Sequence, residues 1–199
     1  MTSRHLFKSL TCALLVLSGC SSSPQKGAES VIVLHGLRRF PASMAILVAR
    51  LEEAGYGVTS FGYASTSESM ESLVDQLEAA VGLCCADHTR DVHFVTHSMG
   101  GVLVRSYLSQ QPEPHNGRVV MLSPPNQGSE IVDAFADSPR LRALFVGPAG
   151  SQLGTDSAGI AKQLGSARFD LGIIAGDRSL SPIGSWLIPG PDDGKVAVG

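Results

Sequence analysis

The chain has 199 residues, 43% of them hydrophobic and 17% charged, with a formal net charge of -3. That excludes a disordered chain, which buries too little to order itself, and a nucleic-acid binder, which needs a marked basic excess. The length supports one domain with a full core but starves a second, and 22 glycines beside 6% aromatic residues favour the tight turns and close helix-to-sheet contacts of an α/β fold.

Arg4 and Lys8 give a positive start, and Leu10 to Leu17 is an apolar run too short for a membrane helix, which takes about 20 residues. Leu17-Ser18-Gly19-Cys20 follows: a branched apolar residue, two small residues, a cysteine. This resembles the bacterial lipoprotein signal, which implies a signal peptide over 1–19, cleavage before Cys20 and lipidation of its thiol. An ordinary secretory signal, or a short anchor with an incidental Cys20, is the alternative. Residues 20–30 are mostly small and polar and read as a flexible tether. Serine after the cysteine resembles lipoproteins sorted to the outer membrane, so the expected place is the cell envelope, anchored through Cys20 and facing the periplasm. Residues 1–19 carry two positive charges and no acid, so their removal makes the chain more acidic and argues against electrostatic attachment to anionic lipid.

From residue 30 short β-branched runs alternate with helical periods. The pattern predicts a strand over 31–34, a helix over 42–54 with Met44, Leu47, Val48 and Leu51 on one face, and a strand over 57–63. A helix over 67–81, a strand over 92–96, a helix over 99–109 and a strand over 118–122 come next. Such alternation implies parallel strands joined by right-handed helical crossovers. Cys84 and Cys85 read as small residues at a helix end, as a vicinal disulfide, or as metal ligands with Asp87 and His88, although four ligands in so short a stretch rarely all reach one ion. After Pro124-Pro125 the pattern loosens over 133–168, the place for a loop or cap insertion, with one helix around 140–145. A strand over 171–175 restores the order, and the pattern reads as one domain spanning 31–199.

Thr96-His97-Ser98-Met99-Gly100-Gly101 lies where an apolar strand gives way to a helix. A serine hydroxyl is a weak nucleophile unless it is exposed beside a base with its developing charge stabilised, and a sharp strand-to-helix turn provides the exposure. His35-Gly36-Leu37 closes the first strand. In acyl transfer two backbone N–H groups stabilise the tetrahedral oxyanion, and Leu37 and Met99 are placed to supply them, with Gly36 letting the backbone approach. His35, His97 and Gly100 are expected to support these turns.

Together with Pro124-Pro125-Asn126-Gln127-Gly128-Ser129 and Gly190-Pro191-Asp192-Asp193-Gly194, these motifs stand in the order seen in α/β-hydrolases, and the chain resembles the bacterial lipase and esterase branch of that superfamily. Thr96 departs from the pattern, replacing the first glycine of G-x-S-x-G. The resemblance implies an α/β-hydrolase fold, a Ser98 nucleophile, and an acid at Asp193, with Asp177 as the alternative. It also implies a histidine one strand beyond the Asp-Gly turn, yet none follows His115. The expectation is therefore a C-terminally incomplete hydrolase lacking its last strand and helix; loss of catalysis is the other explanation.

The function expected is a membrane-anchored serine hydrolase that cleaves carboxylic esters through an acyl-enzyme, with an apolar ester or lipid as substrate. No metal, organic cofactor or nucleic acid is implied. The alternatives are an inactive envelope lipoprotein that uses the same scaffold to bind a ligand or partner, and an acyltransferase.

Overall fold

The computed structural model describes residues 29–85, 91–135 and 137–176. The expected signal peptide, Cys20 and nearly all of the tether lie outside them, as do Asp87 and His88. Five parallel strands form one sheet: β1 (Ser30–Leu34), β2 (Gly57–Phe61), β3 (Val92–His97), β4 (Arg118–Leu122) and β5 (Asp170–Ile174), in the order β2-β1-β3-β4-β5. With helices on both faces, this is the fold class that the sequence implies.

Parallel strands in such a sheet are buried on both faces and so read as continuous apolar runs. In β1, Val31 and Val33 meet Met44 and the half-buried Leu47, Val48 and Leu51 of helix α1 (Ala45–Glu53). Ile32 and Leu34 point the other way, into the larger core with Leu73 and Leu77 of α2 (Met70–Cys84) and Val102 and Leu103 of α3 (Met99–Ser109). Each such fully buried aliphatic side chain contributes roughly 1.5–3 kcal/mol relative to exposure.

Three element boundaries differ from the sequence expectation. The helix expected over 42–54 opens as a 3-10 turn, Pro41–Met44, before α1 begins, and the chain reverses at Gly55 with φ 95°. The helix expected from 67 starts at Met70 because the Ser69 side chain accepts the Ser72 N–H at 3.2 Å and caps it. The strand expected to reach 63 stops at Phe61, since Tyr63 leaves the ladder to stack on His35. At the end of α2, Cys84 and Cys85 are joined as a vicinal disulfide, in place of the unpaired helix-end residues that were the simplest expectation.

Beyond β4 the loosened stretch holds four short helices, α4 (Glu130–Ala134), α5 (Pro139–Phe145), α6 (Gly147–Gly150) and α7 (Ile160–Gln163), where the sequence suggested one. Backbone bonds from Ser129 N–H to the Leu153 carbonyl and from Ile160 N–H to the Gln152 carbonyl, both 2.8 Å, tie the stretch together. A residue that the sequence reading missed fastens it to α3: Arg105, buried in that helix, donates to Asn126 Oδ1 at 2.9 Å and to the carbonyls of Ala161 and Gly165. On β5, last in the strand order among the described residues, Ile173 and Ile174 are exposed. Among the described residues no helix is long and apolar enough to cross a membrane.

Candidate active site

The strand order fixes where a site belongs. From β1 the chain crosses to β2 on one side, then returns past β1 to β3 on the other, so the connections diverge between β1 and β3. Ligands of open α/β sheets bind at such a divergence, outside the carboxyl ends of the strands. Leu34 of β1 pairs with Thr96 of β3, which sets His35-Gly36 beside His97-Ser98.

Ser98 stands at that corner between β3 and α3 with φ 53° and ψ -124°, a backbone conformation that a non-glycine residue holds only under constraint from its surroundings. The constraint is visible. Ser98 N–H donates to the Leu122 carbonyl at 2.9 Å, and the Ser98 carbonyl accepts from Gly101 N–H at 2.9 Å. A Cβ at Gly100 would lie 2.8 Å from the His35 carbonyl oxygen, so only glycine lets α3 start so close to the end of β1. A Cβ at Gly36 would lie 2.6 Å from His97 Nδ1 and 3.0 Å from Ser98 Cβ. The two turns therefore touch, backbone against side chain. Thr96, the departure from the glycine pattern, is fully buried, and its hydroxyl occupies room left by Gly101, where a Cβ would lie 3.2 Å from Thr96 Oγ1.

The turn after β1 is held from behind. His35 is buried, its ring lies parallel to Tyr63 at 4.2 Å, Nδ1 donates to the Gly36 carbonyl at 2.9 Å, and Nε2 faces Tyr63 N–H at 3.5 Å. Those partners fit a neutral imidazole with both nitrogens occupied, and burial lowers its pKa further. His35 is thus a structural member of the turn and has no lone pair to offer. The Tyr63 hydroxyl donates to the His35 carbonyl, and burial pushes its pKa well above the usual phenol range. Ser65 Oγ accepts Arg38 N–H at 3.0 Å.

Arg39 N–H closes the turn onto the Gly36 carbonyl at 3.1 Å, and Arg38 has φ 56°. With positive φ at its third residue the turn is of type II, a place that favours glycine or asparagine. An arginine there costs about 1–2 kcal/mol. The Arg38 side chain offsets it, donating from Nη1 to the Leu144 carbonyl at 2.9 Å and resting 5.2 Å from the centre of the Phe145 ring. Contacts of these kinds contribute roughly 0.5–1.5 and 0.5–1 kcal/mol. Among the described residues the Leu37 N–H has no hydrogen-bond acceptor, and the Met99 N–H, first in α3, has none. Both flank Ser98.

Asp193 and Asp177 lie outside the described residues. His93 and His115 lie at the opposite, amino end of the sheet, and the five residue steps along β3 from His93 to Ser98 span roughly 16 Å. Tyr63, Ser65 and Arg38 were missed by sequence reasoning: an aromatic residue closing a strand reads as core, and nothing in Arg38 itself announces positive φ.

Comparison with known proteins gives the same architecture. The chain is 30% identical over 129 residues to the lysosomal thioesterase PPT2 of Bos taurus, covering 62% of this chain and 41% of that protein, so it matches less than half of that relative's length. A mature Bacillus licheniformis lipase superposes with a TM-score of 0.71 at 20% identity, over 88% of this chain and 80% of its own. A phospholipase of Legionella pneumophila superposes with a TM-score of 0.66 at 19% identity, over 86% and 44%. Those two likenesses establish fold. The profile of the Hydrolase_4 family, described as serine aminopeptidase, S33, matches residues 25–147, a stretch that contains both turns; the chain belongs to this family of α/β-hydrolases.

Proposed function

We propose that the protein is a serine hydrolase of apolar carboxylic esters, working through an acyl-enzyme. The observation that supports the reading is the close approach of Gly36 to Ser98: a strained, corner-mounted serine stands next to the turn carrying the Leu37 N–H and just before the Met99 N–H, and among the described residues neither amide has an acceptor. Ser98 Oγ attacks the acyl carbonyl as its proton passes to a histidine base, and the oxygen that becomes negative sits on the N–H groups of Leu37 and Met99. Collapse expels the alcohol, which takes the proton from the base. Water activated by the same base then releases the acid and restores the serine. One such amide donor contributes about 3–4 kcal/mol to the transition state. Asp193, or in its place Asp177, orients that base, a histidine expected one strand beyond the Asp-Gly turn and not among those of this sequence; His35, with both ring nitrogens engaged, cannot take the role.

The substrate is an acyl group with an apolar chain, a reading supported by the lipase, phospholipase and thioesterase described among the similar proteins. Acyl thioesters undergo the same two half-reactions. Lipidation at Cys20 would hold the enzyme at the outer membrane, where such substrates are reached; membrane fractionation of Cys20→Ala, with release into the soluble fraction expected, tests the anchor.

The main test is turnover of p-nitrophenyl butyrate and of a butyryl thioester by the full-length protein and by Ser98→Ala. A loss of at least about 10³-fold is expected with no change in melting temperature. Equal rates for the two proteins would remove Ser98 from the mechanism and leave a binding role for the scaffold.

A further inference from the structure

We infer that Arg38 is a positioning residue, which couples helix α5 to the turn that carries the Leu37 amide. The inference rests on the catalytic reading above only for the meaning of that amide; the coupling itself stands on the geometry. Four observations converge on it. Arg38 is a non-glycine residue at φ 56° in the third position of the 36–39 turn, where the backbone left to itself favours another conformation. Its own amide is held by Ser65 Oγ at 3.0 Å. Its guanidinium reaches across to α5, donating to the Leu144 carbonyl at 2.9 Å and covering the Phe145 ring. That carbonyl belongs to the last turn of α5, where helical carbonyls lack intrahelical donors and a cation is favoured.

The segment that receives the guanidinium is anchored to the same neighbourhood. Ala149 N–H, in α6, donates to the Glu68 carbonyl at 3.0 Å, and a Cβ at Gly147 would collide with the Thr66 carbonyl. A Cβ at Gly150 would lie 3.2 Å from both Leu37 methyl carbons. The 65–68 loop thus holds the turn through Ser65 and holds α6 through Glu68, and Arg38 closes the ring by tying the turn to α5. Peptide orientation in the turn depends on positive φ at Arg38, and the guanidinium's share in maintaining that φ exists only while α5 is docked. When α5 moves away, the turn relaxes and the Leu37 N–H loses its aim.

A pair of substitutions separates this role from plain packing. Arg38→Ala removes the tie to α5 and keeps a Cβ at positive φ; Arg38→Gly removes the same tie but tolerates the turn conformation. Amide exchange over 139–145 is expected to rise in both variants. Exchange over 36–39 is expected to rise in Arg38→Ala and to stay near wild type in Arg38→Gly. In ester turnover, Arg38→Ala is expected to lose roughly 10–100-fold in kcat with KM within about twofold, and Arg38→Gly to recover most of it.

Unchanged exchange over 139–145 in both variants, or identical behaviour of the two variants over 36–39, would overturn the inference, whatever the esterase rates. A wild-type protein without ester turnover, yet with the expected exchange pattern, would strike the catalytic reading and leave the coupling in place.

Discussion

The two ends of the central strands each hold histidines, and they use them in opposite ways. At the carboxyl end His35 has both ring nitrogens engaged, a stacked partner in Tyr63, and neighbours that admit no further atom at Gly36 or Gly100. At the amino end, His115 Nε2 is buried without a hydrogen-bond partner among the described residues. Beside it, His93 Nδ1 accepts Arg118 N–H at 2.9 Å, while its Nε2 stands 3.5 Å from Glu29, within ion-pair reach but without hydrogen-bond geometry. The end with histidine atoms to spare lacks a strained nucleophile, and at the end with the strained serine, where His97 also stands, the buried His35 is fully committed. What distinguishes the candidate site is therefore the backbone: the divergence of connections between β1 and β3, and glycines that bring two turns into contact.

If contact between the turns is what matters, breaking it should have the largest effect. Gly36→Ala pushes a methyl into His97 Nδ1 and Ser98 Cβ, and roughly a 10²–10³-fold loss of ester turnover is expected, with about 1–3 kcal/mol of stability lost. Gly55→Ala is the control. That residue has φ 95° but nothing within 4 Å of an added Cβ, so it should cost only about 1 kcal/mol and leave turnover unchanged. Similar losses of turnover at both positions would mean that general destabilisation, and not the meeting of the turns, sets activity.

Arg105 sharpens the comparison from the flank of the sheet. It sits six residues into α3, roughly 9 Å from the helix start, and donates to one side chain and two backbone carbonyls without a carboxylate partner among the described residues. Its burial lowers its pKa, but no accessible pH removes a guanidinium proton. Arg105→Met should lower the urea midpoint by an amount equivalent to about 2–4 kcal/mol, because it strands the acceptors on Asn126, Ala161 and Gly165. Ester turnover per folded molecule should stay within a few-fold. A midpoint like wild type would show that the 124–167 stretch does not depend on this fastening.

Much of this was legible in the sequence, and the reason is periodicity. Val31 to Leu34, Val119 to Leu122 and the Met70, Leu73, Val74, Leu77 face announce buried strands and an amphipathic helix whatever surrounds them. Ser98 and Gly36 were legible because a strand-to-helix corner needs small residues at fixed offsets. Tyr63, Ser65, Arg38 and Arg105 were not. Each acts on backbone atoms distant in sequence, so its role exists only once the strands are in register. The short helices after β4 were obscured for a related reason: they are held by bonds such as Ser129 to Leu153 and by Arg105, and local propensity contributes little to helices of four or five residues.

The smallest expected effect belongs to the amino end and concerns acid. Burial lowers the pKa of His115 from 6.5, nearby His93 lowers it again, and Asp91 and the Val92 backbone oppose the shift. His35 at the other end is lowered as well. A histidine with a depressed folded-state pKa is neutral in the folded protein and takes up its proton first in the unfolded chain. Its contribution to stability is therefore present above about pH 6.5 and drains away as pH falls through the folded value. The urea midpoint should decline between pH 7.5 and pH 5, and His115→Gln should decline less while keeping wild-type ester turnover at pH 7.5. Parallel declines would exclude His115 as the source and leave His35, whose protonation breaks its donation from Tyr63 N–H. In that case acid would loosen the Gly36 turn itself, and ester turnover would fall together with the urea midpoint.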